Sequence, residues 1–102
     1  MRLEQVEFII GILNEDYEKA KIWAQRRLTA SQSSPIFLAY SILDVLFLTK
    51  LSPGIFQLRP SLIEKAQLIF NENNLTKSAA SLEFLLAKKS ITREDFIKHY
   101  IF

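Results

Sequence analysis

The residues from Pro35 to Leu51 form the longest apolar stretch of the chain and are hydrophobic on nearly every side of a helical wheel. Ser34 is a favourable N-cap, and Pro35 suits the first helical position because its missing N–H loses no partner there. A bilayer crossing needs about 20 apolar residues, more than this stretch provides, and Asp44 lies near its middle. We therefore predict a buried central helix of a soluble domain and no membrane span.

A helix without a polar side must be covered by other helices on several sides. We expect six of its large side chains to be buried: Phe37, Leu38, Ile42, Leu43, Leu46 and Phe47. Asp44 is the one charge in this stretch before Lys50, and a buried carboxylate needs a partner. We expect Asp44 either at an exposed rim or against Tyr40 or a basic residue.

The N-terminal part of the chain carries a helical stripe in which apolar residues recur every three or four positions. The stripe consists of Leu3, Val6, Ile10, Leu13, Tyr17, Ala20, Ala24 and Leu28. It crosses the polar residues 14–16, so one helix of about 25 residues and two helices joined by a tight turn both fit. Gly11 and the Asn-Glu-Asp cluster favour the hairpin, because Asn often ends a helix and Asp often caps the next.

The C-terminal half contains three helix-start signals. Ser61 and Glu64 have the spacing of a capping box, and Thr76 can cap a following helix. Thr92 and Asp95 have the same spacing, with Ile91 and Phe96 placed for a hydrophobic staple around them, so a last helix should run from Arg93 to near Tyr100. Residues 1–102 are thus predicted to form a single all-α domain, a five- or six-helix orthogonal bundle or helix-hairpin stack around the buried central helix.

Residues 14–28, NEDYEKAKIWAQRRL, resemble the second helix of a tetratricopeptide hairpin, with Tyr17, Ala20 and Ala24 at the packing positions. The Trp-x-x-Leu-Gly opening of that repeat is missing, as is the proline that follows it. The resemblance implies a helix-hairpin stack that binds a peptide or another helix, as adaptors and chaperones of that kind do.

Hydrophobic residues make up 49% of the chain and aromatic residues 12%, which is high for a small domain that must keep a polar surface. We therefore expect a symmetric homodimer or a complex with a helical protein partner. The predicted partner surface consists of Phe8, Ile12, Ile22, Trp23, Arg26, Arg27, Ile101 and Phe102.

The chemistry-bearing residues are few. There is no cysteine, His99 is the single histidine and there are two glycines, so no metal site, phosphate loop or nucleophile motif is indicated. We predict no cofactor, no enzymatic activity and a reducing, cytoplasmic setting. The alternative is a nucleic-acid-associated regulator that uses the basic group Lys19, Lys21, Arg26 and Arg27 around Trp23, although acidic neighbours dilute it.

Overall fold

The fold is all-helical, as predicted, and a computed structural model describes residues 3–102. Its helices are α1 (Leu3–Leu13), α2 (Tyr17–Ala30), α3 (Pro35–Leu51), α4 (Pro60–Glu72), α5 (Thr76–Leu86) and α6 (Arg93–Phe96), and a π-helical segment, Ile97–Ile101, continues α6. Within residues 3–102 no strand is present. None of the described helices is both long and apolar enough to cross a membrane.

Helix α3 forms the centre of the molecule and has the predicted bounds. Helices α2, α4 and α5 pack against it, and every residue from Ser41 to Leu48 is buried. Five of the six large side chains predicted to be buried are buried; the prediction for Phe37 is wrong, because its side chain is 47% exposed. Phe37 lies in the first turn of α3, where the neighbouring helices leave an open cavity.

The N-terminal stripe folds as a hairpin, which confirms the break at residues 14–16. Glu15 has a positive φ of 59°, and the Asp16 carboxylate caps α2 by accepting a hydrogen bond from the Lys19 N–H at 3.2 Å. Gly11 faces Ala20 so closely that a Cβ added to Gly11 would lie 3.1 Å from the Ala20 nitrogen. The missing side chain of Gly11 therefore permits the close crossing of α1 and α2.

The three predicted helix starts have different outcomes. At α6 the capping box is confirmed, with Asp95 N–H donating to the Thr92 hydroxyl and Thr92 N–H donating to the Asp95 carboxylate. The Ser61 capping box is not formed, because Pro60 occupies the first helical position and Arg59 becomes the N-cap. Thr76 is the first residue of α5 and does not cap it.

An aromatic cluster joins the first, third and last helical elements. It consists of Phe8, Phe47, Phe96 and Tyr100, whose ring centroids lie 4.7 to 6.2 Å apart in the pairs that contact. The three phenylalanines are fully buried. Edge-to-face and stacked rings at these distances stabilise packing beyond their buried area. The cluster therefore anchors the π-helical segment to the core and directs Tyr100 toward α1 and α3.

Candidate functional site

A buried ion pair joins α2 to the middle of α3. Arg27 Nη1 contacts Asp44 Oδ2, and the two side chains are only 13% and 4% exposed. This confirms the predicted alternative in which a basic residue neutralises Asp44. The Asp44 carboxylate is buried, so separating it from Arg27 leaves a buried negative charge.

The ion pair lies in the wall of a partly open cavity of about 550 Å³. Its apolar lining is Phe37, Tyr40, Leu43 and Phe47, and its polar lining is Gln5, Arg27, Ser31, Asp44, Lys77, Ser78, Ser81, His99 and Tyr100. These residues come from α1, α2, α3, α5 and the π-helical segment, and Ser31 directly follows α2. The cavity is therefore built by tertiary packing of the whole bundle.

Tyr100 presents its hydroxyl to this cavity. Gln5 Nε2 donates a hydrogen bond to the phenolic oxygen at 3.3 Å. Burial raises the pKa of Tyr100, while the nearby charge of Arg27 and the hydrogen bond from Gln5 partly oppose this shift. The phenol therefore stays protonated at neutral pH, and its O–H can donate a hydrogen bond to a ligand.

The cavity lining also includes Lys77 and His99. The Lys77 ammonium donates a hydrogen bond to the carbonyl oxygen of Phe102, which brings the apolar end of the π-helical segment beside α5. The His99 ring stacks on Phe84 with centroids 3.9 Å apart. His99 is half-buried at the cavity wall.

The hydroxyl groups near the ion pair are used within the protein. Ser31 donates to the Arg27 carbonyl oxygen at 2.6 Å and pairs with the Ser41 hydroxyl at 2.9 Å. Ser41 also donates to the Phe37 carbonyl oxygen at 2.9 Å. Their role is to join the end of α2 to the first turns of α3, which fixes the backbone around Arg27.

The residues predicted to bind a partner do not form one surface. Phe8 and Ile12 are fully buried, so they are not at the surface where a partner could contact them. They lie with Gly11 on the inward face of α1, against α2 and the aromatic cluster, whereas Leu3, Ile10 and Leu13 of the predicted stripe are exposed, so the stripe predicted for α1 is on the wrong face. Arg27 is also held inside, by Asp44.

The remaining predicted partner residues divide between two places. On the outer face of α2, Ile22 is 51% exposed and the Arg26 guanidinium lies 4.8 Å from the Trp23 ring centroid. Ile101 and Phe102 follow Tyr100 and are 43% and 79% exposed. Of these residues, Ile101 and Phe102 adjoin the cavity, through the hydrogen bond from Lys77 to the Phe102 carbonyl oxygen.

Two of the four basic residues of the group on α2 form internal ion pairs. Lys19 Nζ lies 3.4 Å from a Glu7 carboxylate oxygen, and Arg27 is paired with Asp44. Lys21 and Arg26 have no ion-pair partner within residues 3–102. No group of three or more His, Asp or Glu side chains in residues 3–102 could hold a metal ion.

Gln5, Lys77 and Tyr100 are the site residues that sequence reasoning missed. They are separated by more than 20 residues from one another and share no motif spacing. The one usable signal was Asp44, because a charge inside an apolar helix requires a buried partner. That signal predicts a polar contact at the middle of α3 but does not say which helices supply it.

Comparison of this chain with protein-family models, with curated proteins and with solved structures finds no match. The resemblance of residues 14–28 to a tetratricopeptide helix therefore stays a prediction.

Proposed function

We propose that this chain is a non-enzymatic protein-interaction module that binds an amphipathic segment of a partner protein at the cavity. The observation that carries the proposal is the half-exposed Phe37 side chain beside an open cavity of about 550 Å³ with a buried ion pair in its wall. Concave sites that combine apolar walls with a few converging polar groups are typical of ligand recognition.

The apolar surface next to the cavity supports a macromolecular ligand. Ile101 and Phe102 are exposed beside Lys77, and Phe37 is exposed at the first turn of α3. Exposed apolar side chains that flank a cavity commonly mark a protein interface. An amphipathic segment fits such a surface because its apolar side chains can cover the phenylalanines while one polar side chain enters the cavity.

The state of the polar side chains favours binding over catalysis. Ser31 and Ser41 direct their hydroxyl groups to main-chain carbonyl oxygens and to each other, and His99 stacks against Phe84. A nucleophile and its general base would instead lie within hydrogen-bond reach of each other. The nucleic-acid alternative has less support, because Lys19 and Arg27 are occupied by Glu7 and Asp44.

A random-peptide display selection on the purified protein tests this proposal. We expect enriched peptides to contain apolar residues and to bind more weakly, by about tenfold, to a Phe37→Ala variant. Leu68→Ala is the matched control, because Leu68 is 58% exposed on α4 and does not line the cavity. Peptides that bind Phe37→Ala as tightly as the wild type, or a selection that enriches none, would contradict the proposal.

A further inference from the structure

We infer that the cavity recognises one carboxylate next to an apolar group, so that the partner segment presents a glutamate or aspartate side chain beside an apolar residue. The inference rests on the proposed function, since it takes the cavity as the recognition site. It is argued from the charges that line the cavity, from its unused hydrogen-bond donors and from its apolar wall.

The charges of the lining favour a ligand with one negative charge. Among the lining residues within 3–102, Arg27 and Lys77 are cationic, Asp44 is the one carboxylate, and His99 is the one imidazole. Arg27 and Asp44 offset each other as an ion pair, which leaves the charge of Lys77. A dianion such as phosphate would exceed that charge.

The hydrogen-bond donors of the lining outnumber its open acceptors. The Tyr100 oxygen accepts from Gln5, which leaves the phenolic proton free to donate. Lys77 has two N–H groups besides the one used on Phe102, whereas the Arg27 guanidinium is engaged by Asp44 and Tyr100. A carboxylate accepts hydrogen bonds and donates none, so it matches this set of donors.

The size and apolar wall of the cavity define the rest of the ligand. Phe37, Tyr40, Leu43 and Phe47 form a hydrophobic wall next to these donors. The volume of about 550 Å³ is in the range of small-molecule sites and can hold an acidic group together with an aromatic ring. An acidic side chain alone would leave this wall uncovered.

Three small probes that differ in one group test the inference by NMR titration. Phenylacetate carries the carboxylate, phenylacetamide is its neutral counterpart, and phenethylamine is a cation of similar size. We expect phenylacetate to shift the ring signals of Tyr100 and His99, with an affinity about tenfold above that of the amide, and phenethylamine to cause no shift.

A substitution of Lys77 identifies the source of the selectivity. Lys77→Gln should weaken phenylacetate binding about tenfold and leave the amide unchanged, because only the acid uses the ammonium charge. Lys65→Gln on α4 is the control, since Lys65 is exposed and lies outside the cavity lining. The inference is overturned if acid and amide bind equally, or if about 20 mM phenylacetate moves neither ring signal.

The failure of this inference and that of the proposed function are distinguishable. If display-selected peptides bind the Phe37→Ala variant more weakly but phenylacetate does not bind, the proposed protein-interaction function is supported and the carboxylate preference is wrong. If phenylacetate binds selectively but no peptide depends on Phe37, the cavity is a site for small organic acids and the protein-interaction proposal fails. Replacing Glu by Gln, or Asp by Asn, in a selected peptide and measuring the change in affinity tests the carboxylate preference directly.

Discussion

At the scale of single residues, the ion pair between Arg27 and Asp44 is the feature on which the site depends. Desolvating two charges costs several kcal/mol, and the attraction between them must offset that cost. Asp44 is 2% exposed as a residue, so its carboxylate depends on Arg27 for a counter-charge. The pair thus holds Arg27 in the cavity wall and keeps it from solvent.

Removing one partner of this pair should destabilise the protein more than removing both. We expect Arg27→Met to lower the free energy of unfolding by about 3 kcal/mol, because it leaves the Asp44 carboxylate buried without a counter-charge. The double variant Arg27→Met/Asp44→Leu should recover most of that loss. Urea denaturation of the two single variants and the double variant measures the coupling, with Glu18→Gln on exposed α2 surface as the control. Additive losses would contradict a coupled pair.

At the scale of helices, prediction succeeded where the signal is local. Helix α3 has the predicted bounds with Pro35 at its first position, although the Ser34 side chain makes no capping hydrogen bond, and the α6 capping box follows from residues 92–95. The prediction failed at Ser61, because α4 begins one residue earlier, at Pro60, and Ser61 is therefore not the N-cap. The apolar periodicity of one helix also does not show where a neighbouring helix ends. Phe37 was therefore wrongly predicted to be buried.

The α6 capping box should make stability depend on acid pH. The backbone hydrogen bond from Thr92 is the main cause that lowers the pKa of Asp95 below its usual 3.8. A lowered pKa means that the folded state favours the carboxylate, so its contribution is present above about pH 4 and is lost as pH falls through the folded pKa. We expect Asp95→Asn to be less stable than wild type by about 0.5 kcal/mol at pH 7.

That difference should shrink as the pH is lowered toward 2, because the wild-type carboxylate becomes protonated and the amide does not titrate. Thermal unfolding of both proteins across this range measures it. Glu94→Gln is a suitable comparison, since Glu94 is in the same helical turn and makes no capping hydrogen bond. A gap between wild type and Asp95→Asn that does not change with pH would count against the capping role.

At the scale of the whole molecule, the fold class was predictable and the site was not. Apolar periodicity and helix-start signals are properties of neighbouring residues, and they predicted an all-helical domain around α3. The cavity depends on contacts such as that between Gln5 and Tyr100, which are 95 positions apart. Without a motif, such contacts follow only from the packing of the complete bundle.

The exposed apolar residues are spread over several elements, which bears on self-association. Among the residues that remain at the surface, Ile22 lies on α2, Leu68 on α4 and Phe102 at the end of the described chain. A tight homodimer needs a contiguous, self-complementary patch. We therefore expect light scattering to find a monomer at about 100 μM, and a dimer at that concentration would favour the self-association predicted from composition.

The aromatic cluster of Phe8, Phe47, Phe96 and Tyr100 also has a consequence for biosynthesis. Its rings come from the first, third and last helical elements, so the cluster cannot close until residue 100 has left the ribosome. At about 5 to 20 residues per second, Phe47 waits for several seconds without these partners while α3 lacks part of its cover. Until residue 100 has emerged, the nascent chain therefore exposes part of its most hydrophobic helix and is open to aggregation and to capture by chaperones.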